Sequence, residues 1–436
     1  MYYSSDDDDD DDDLLFSPQA ALWFDDEEDD IQAAVISQHL QSTVVRKKTR
    51  KRKWRHTRIA WNLHVQQLHH EGLFARTYRM SHPSFIKLQE LLGDGIRLRS
   101  EHNPGMAPIP VEIVMACGIR WLAGGTCLDI KTSMGISLTS VYRFRDIFLA
   151  AVNLTPALEL VFPQNDNDIE KATRAFCARS KSGIMAGCVG CVDGYLATVV
   201  RPRMDECDGN PGAFYSGHYG VYGLNVQAVC NHKSQFIYFA VVAPGKCGDQ
   251  VAYERTSLPT LMQALPLGTY LIGDAAYSVG EKMLVPFTGS QRSNPSNDAY
   301  NFYLSQLRIR IEMAFGLMTN KWRILRAPLQ TSLAKSSEVL ECCSRLHNFC
   351  IAQKNRDNDE VEDCDAIVRG IPPMPGAEFG WGYLPTIEAL VHQHNPIPGT
   401  SQIRDIIVRR VNRLGLRRPA ANIERARYEL HQINLM

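Results

Sequence analysis

Two apolar stretches each stop abruptly at an aspartate, and this pairing narrows the folds open to the chain. "GCVGCVDGY" from Gly187 reads as a buried strand halted at Asp193, and "GTYLIGDAAY" from Gly268 does the same at Asp274. Burying a carboxylate is costly unless a partner compensates its charge. In a sheet that sets these two strands side by side, both aspartates arrive at the same sheet end. There they repel and shift each other's pKa. A hard divalent cation, which prefers carboxylate oxygen, removes the conflict. The small neighbours Gly194, Gly273 and Ala275 leave room for a metal and a phosphodiester.

The surrounding pattern supplies such a sheet. Residues 184–192 form a short apolar strand. In "GHYGVYGLNVQAVCN", Tyr222, Leu224, Val226 and Ala228 alternate onto one face, and "SQFIYFAVVAPG" follows a short Asn-His-Lys turn, so the three strands read as a meander. Residues 249–265 look helical, with a break near Pro259. "TYLIG" and "MLVPF" give a fourth and a fifth strand, and a long helix covers about 297–322. Three antiparallel strands, a helix, two strands and a helix is the order of the RNase H-like fold. The predicted class is therefore α/β, an RNase H-like mixed sheet flanked by helices.

A third carboxylate comes from the long helix. A helical wheel puts Tyr300, Leu304, Leu307, Ile311, Ala314, Met318 and Trp322 on a core stripe, and Ser305, Arg308, Glu312, Thr319 and Arg323 on the opposite side. Glu312 beside Arg308 is equally what an exposed i,i+4 ion pair looks like, worth ~0.3–0.5 kcal/mol. In company with two strand-end aspartates it becomes a candidate metal ligand. Three carboxylates would hold two Mg²⁺ or Mn²⁺ ions for in-line displacement at phosphorus. Arg308, Lys321 and Arg323 on the same helix would grip backbone phosphates.

Helical signals precede the sheet. Ser81 can cap "HPSFIKLQELL", and "PVEIVMACGIRWLAGG" opens on Pro110 and stops at Gly124 and Gly125. In "CLDIKTSMGISLTSVYRFRDIFLAAV" a short helix reaches Met134, Gly135 turns the chain, and Ser137 caps a longer helix. This is the outline of a helix-turn-helix, which a plain helical hairpin shares. If it meets DNA, Ser140, Tyr142, Arg143 and Arg145 are the contacts. The expected layout is an acidic then basic tail over 1–70, a small all-helical, helix-turn-helix-like domain over 71–160, the RNase H-like domain over 180–352, and an appendage of unassigned role over 353–436.

A net charge of −1 conceals strong asymmetry: Asp6 to Asp13 is an unbroken acidic run, whereas Arg46 to Arg58 packs nine Lys and Arg, among them Arg50, Lys51, Arg52 and Lys53. Like-charge blocks act as interaction tails, and the basic one suits nucleic acid or nuclear import. Twelve cysteines at irregular spacing in 436 residues suggest reduced thiols rather than a disulfide framework. Cys188 and Cys191 form a CxxC with no second pair at zinc-site spacing, and their separation of three sends them to opposite faces of a strand. No segment approaches the ~20 apolar residues of a membrane span.

Together these motifs resemble PIF/Harbinger-type DDE transposases and the nucleases derived from them, over about 75–350. "CVDGY" matches the first catalytic motif, "YLIGDAAY" the second and "RIRIEMAFGLMTNKWRIL" the third, which assigns Asp193, Asp274 and Glu312 to the catalytic triad. "FYSGHYGVYGLNVQAVCN", "APGKCGDQ" and "RLHNFCI" match further family motifs, and the second of these adds Asp249 as a further ligand candidate. The resemblance implies a divalent-metal-dependent DNA endonuclease that cuts and joins transposon ends in the nucleus, acting on double-stranded DNA as a homo-oligomer with a separate Myb-like partner. The chain departs from the family at Tyr195 and Leu196 after Asp193-Gly194, at Ala276 after Asp274-Ala275, and at Met313 after Glu312. None of these removes a ligand. They leave open a domesticated DNA-binding or partner-binding protein that no longer cuts. A carboxylate-pair glycosidase is a third class, but it needs neither a basic face nor a helix-turn-helix.

Overall fold

The computed structural model describes residues 57–100, 109–357 and 399–419. The acidic run, the basic residues Arg50, Lys51, Arg52 and Lys53, and "GIPPMPGAEFGWGY" lie outside the described residues.

Among the described residues seven α-helices come before the sheet: α1 (Trp61–His70), α2 (Phe74–Tyr78), α3 (His82–Ser100), α4 (Val111–Leu122), α5 (Cys127–Met134), α6 (Leu138–Leu154) and α7 (Asp166–Arg179). Their ends obey local chemistry. Ser81 Oγ accepts the Ser84 N–H at the start of α3, and Ser137 Oγ accepts the Ser140 N–H at the start of α6. Gly135 closes α5 in the left-handed region, at φ 62°. A side chain at Gly135 would also collide with the Thr57 carbonyl, because the incoming chain crosses this turn and the Ile59 N–H bonds the Met134 carbonyl at 3.2 Å. The predicted helix-turn-helix outline is present. Seven of the 17 residues of α6 are nonetheless buried, Val141, Phe144, Ile147, Phe148, Leu149, Ala151 and Val152, so one face of it is a packing face.

The sheet follows: β1 (Cys188–Thr198), β2 (Tyr215–Ser216), β3 (Val221–Cys230), β4 (Phe236–Pro244), then α8 (Asp249–Glu254), α9 (Leu258–Ala264), β5 (Tyr270–Ile272) and β6 (Met283–Leu284). β3 pairs antiparallel with both β1 and β4, and β5 pairs parallel with β1 and with β6. The resulting strand order is β4-β3-β1-β5-β6, with β2 a short addition to β3. This is a mixed sheet flanked by helices, as the sequence order predicts.

One face is covered by α10 (Pro295–Lys321), whose Leu307, Ile311, Ala314 and Met318 bury against Cys191, Val226 and Ala228. The other carries Leu258 and Met262 of α9 against Val189, Val192, Val229 and Leu271. Asn294 caps α10, and Pro295 occupies its first position, where a missing N–H costs nothing. The CxxC thiols depart from expectation: a register shift between Cys188 and Gly190 brings Cys188 and Cys191 to the α10 side, where they form a buried trio with Cys230.

α11 (Leu333–Asp357) explains the "RLHNFC" motif as architecture. Asn348 takes both backbone groups of Phe236 on edge strand β4, accepting its N–H at 2.8 Å and donating to its carbonyl at 2.6 Å, as a neighbouring strand would. His347 Nε2 sits 2.8 Å from the Ser234 carbonyl. Asn348→Ala deletes two hydrogen bonds at once, so a loss of about 2 kcal/mol is expected, read as a lower Tm in thermal melting. An unchanged Tm would show that α11 does not secure β4.

The C-terminal segment, to which the sequence assigns no role, packs on the same domain through α12 (Gln402–Arg413). The Glu281 carboxylate accepts the Gln402 and Ile403 N–H groups at 2.7 and 3.3 Å, placing negative charge at the helix N-terminus. Ile403, Ile407 and Val411 are buried, Arg404 lies 4.0 Å over the Phe287 ring, and Arg418 grips Asp298 through two 2.8 Å bonds.

Candidate active site

β1 does not end at Asp193. It runs on to Thr198, because β3 keeps supplying backbone partners: Asp193 lies opposite Ala228 and Gly194 opposite Gln227. The strand that stops is β5. Its last parallel pair with β1 is Cys191 with Ile272, so Asp193 and Asp274 each stand two residues beyond it, at the same level of the sheet. Strand alternation sends Asp193 to the α10 face, where Arg308 meets it, and the Asp274 charge acts on it from the end of β5.

Asp193 is held from several sides. Its Oδ1 accepts the Gly194 N–H at 2.9 Å, and its Oδ2 lies 3.7 Å from Nη1 of Arg308. The other end of the Arg308 guanidinium donates to Glu312 Oε1 at 2.6 Å. The i,i+4 pair read from the sequence is therefore real, and it also reaches the first aspartate. Asp274 accepts the Ala276 N–H at 2.9 Å, which fixes the turn after β5.

Asp249 approaches from the opposite face of β1. A side chain at Gly194 would run into its carboxylate, so the glycine is what admits it. Asn225 Nδ2 and Gln227 Nε2 donate to Asp249 Oδ1 at 3.0 and 3.2 Å, and the Tyr277 hydroxyl donates to Gln227 Oε1 at 2.7 Å. The sequence reading missed this scaffold. Its signal was present in "GLNVQAVCN": two polar residues at period two on a strand whose neighbours are apolar, both buried in the structure.

Electrostatics bind the acids into one unit. Burial first, then the Asp274 charge, push the Asp193 carboxyl up to about 7, and Asp249 adds to the rise while Arg308 and the Gly194 N–H oppose it. Among the described residues no three His, Cys, Asp or Glu side chains converge as a ready-made metal cage. Arg308 stands between Asp193 and Glu312, which accounts for the separation of those two. The donor chemistry still fits a hard divalent cation. Asp193 and Asp274 offer carboxylate oxygens at one sheet end, and crowded like charge is what such a cation relieves.

Other candidates fall elsewhere. Lys321 donates to the Arg79 carbonyl at 3.0 Å, inside the seam between the helical region and the sheet domain. Arg323 lies past the end of α10, in the short turn Arg323–Arg326, so the helical wheel does not apply to it. Arg145 stacks over Trp121 and Tyr142 at 5.0 and 5.2 Å and pairs with Asp146 at 3.0 Å, and Arg143 is half-buried. Tyr195, at the first departure from the family pattern, stacks on Phe315 with ring centroids 5.1 Å apart. It is packing, not a polar group beside Asp193.

A family model described as "DDE superfamily endonuclease" matches residues 192–348. The chain is 22% identical over 300 residues to "Putative nuclease HARBI1" of Xenopus laevis, covering 66% of this chain and 80% of that protein. It is 19% identical over 269 residues to "Protein ALP1-like" of Arabidopsis thaliana, covering 58% of this chain and 64% of that protein. No solved structure matches it. The matched residues contain the whole acidic cluster with its scaffold, from Asp193 on β1 to Glu312 on α10, and on these grounds the chain carries a DDE superfamily endonuclease domain over residues 192–348 and is homologous to both proteins.

Proposed function

We propose that this chain is a divalent-metal-dependent DNA nuclease of the transposase kind, cutting and joining phosphodiester bonds at transposon ends in the nucleus. The supporting observation is the Asp193–Asp274 pair at one sheet end, with Asp249 behind it and the Arg308–Glu312 pair across from it. Asp193 and Asp274 would hold Mg²⁺ or Mn²⁺, with Glu312 completing the set and Asp249 adding negative charge from the other face of β1. A bound divalent ion supplies Lewis-acid polarisation of the phosphate and a more acidic attacking water or 3′-hydroxyl.

The chain's own residues do the rest. Arg308 neutralises Asp193 and Glu312 before substrate arrives, and its guanidinium suits a non-bridging phosphate oxygen once those acids have another partner. Gly194 makes room for the Asp249 carboxylate, and Gly273 for the Tyr277 ring and Met283. Asn225 and Gln227 fix the Asp249 carboxylate in one orientation. Double-stranded DNA is the substrate this reading requires, and a homo-oligomer and a Myb-like end-recognition partner belong to it.

A second reading, a domesticated DNA-binding protein without cleavage, is favoured by one observation: Arg308 already satisfies Glu312. Incubating purified protein with supercoiled plasmid in Mg²⁺ or Mn²⁺, with a chelator control, separates the two. Metal-dependent nicking supports the nuclease. DNA binding without nicking under either metal supports the second reading.

A further inference from the structure

Four arginines meet where the helical region abuts the sheet domain. Arg79 follows α2, Arg120 lies in the last turn of α4, and Arg323 and Arg326 bound the turn after α10. They are close neighbours. Gly124 packs against Arg323 so tightly that an added Cβ would come within 3.2 Å of the Arg323 Cβ. Arg79 Nη2 reaches the Ala123 carbonyl at 3.5 Å, while Lys321 holds the Arg79 carbonyl. No carboxylate pairs with any of the four among the described residues, and Arg326 finds only the Asn320 amide oxygen.

The cluster carries two local energetic costs. Arg79 has a left-handed backbone, φ 60°, where glycine would be unstrained. Its Nε is buried with no hydrogen-bond partner. Burial first, then the charges of Arg323, Arg120 and Arg326, lower its pKa, so the other three guanidinium groups repel that of Arg79. A packing role would be better served by neutral side chains. A polyanion turns the repulsion into attraction.

The geometry points to a second phosphate-binding site at this seam: we infer that Arg79, Arg120, Arg323 and Arg326 grip the backbone of duplex DNA whose scissile bond lies at the acidic cluster. The inference rests on the nuclease reading above and adds the path of the DNA. From Glu312 to Lys321 the α10 axis rises roughly 14 Å. That is roughly four base-pair steps at about 3.4 Å each. One duplex thus spans both sites, with α10 as the ruler between them. The seam also joins the helical region to the nuclease domain, so bound DNA would brace the two against each other.

The test is fluorescence anisotropy of labelled duplex DNA across a salt titration, with plasmid nicking measured in parallel. Arg323→Ala/Arg326→Ala alters two exposed side chains and spares the core. It is expected to weaken binding about tenfold at low salt and to reduce the slope of log K against log salt by about two, near 0.9 per lost phosphate contact. Arg409→Ala, an exposed arginine on α12, should change neither. Raising the DNA concentration should restore nicking in the double variant, a KM effect that loss of catalytic residues would not show. An unchanged slope in the double variant, with wild type binding and nicking normally, overturns the seam site and leaves the nuclease reading standing. An equal loss in Arg409→Ala overturns it as a general charge effect. If wild type itself neither binds nor nicks DNA, the nuclease reading fails and the seam site fails with it.

Discussion

Asp193→Asn is expected to abolish metal-dependent nicking of supercoiled DNA while leaving duplex binding within a few-fold of wild type, and Asp274→Asn should behave alike. The loss should be about a thousandfold or more, because a bound metal contributes several kcal/mol of transition-state stabilisation. A second readout keeps this apart from simple unfolding. Folding raises the Asp193 carboxyl from its ordinary 3.8 to about 7, so the folded state binds a proton that the unfolded state has already released. With the folded pKa raised, this acid costs the metal-free fold nothing below about pH 4, a growing penalty up to about pH 7, and a constant one above. A rise of about three pH units corresponds to at most ~4 kcal/mol. Asparagine carries no charge to bury. The metal-free Asp193→Asn protein should therefore melt at a higher temperature than wild type at pH 8, and the difference should vanish near pH 4. An inactive variant that is also less stable at pH 8 would mean that misfolding, not a missing ligand, explains the loss.

Gly194→Ala should be damaging out of proportion to one methyl group. The new Cβ takes space that the Asp249 carboxylate occupies, and the strand cannot yield because β1 is paired with β3 on both sides of the glycine. Asp249 must move, which breaks its bonds from Asn225 and Gln227. The expected cost is about 1–3 kcal/mol of stability from overpacking and lost hydrogen bonds to a charged group. Nicking should fall about a hundredfold, the scale of a 1 Å misplacement at a reacting centre. If the effect runs through Asp249, then adding Gly194→Ala to Asp249→Ala should cost little more, a non-additivity that a double-mutant cycle in plasmid nicking measures. Additive losses would show that the glycine acts by some other route.

Much of this arrangement was legible in the sequence, because the residues concerned act through local rules. Gly135 and Ser137 announce the turn into α6, Asn294 and Pro295 open α10, and the alternation around Val226 fixes the face of β3 that meets it. The two aspartates stood out because apolar strands rarely carry unpartnered charge. Long-range geometry was not legible. The break at Gly194 looks like a strand end, and only the partner β3 reveals that β1 continues. The bulge that gathers Cys188 and Cys191 has no local marker. Arg79, Arg120 and Arg323 are separated by 41 and 203 residues and come together only through the docking of α4 on the turn after α10. Asn225 and Gln227 fall between: their buried polarity was visible, but their partner Asp249 was not.

The most direct measurement is Mn²⁺ binding by wild-type protein and by Asp193→Asn at pH 8, followed by electron paramagnetic resonance of free Mn²⁺ without any DNA. It needs no knowledge of the transposon ends or of a partner protein. If the acidic cluster is a cation site, wild type binds and the variant binds at least tenfold more weakly, with Asp274→Asn matching it. Equal Mn²⁺ affinity in wild type and both variants would contradict the account, because Asp193 and Asp274 would then be acids that the fold tolerates rather than ligands that the reaction uses.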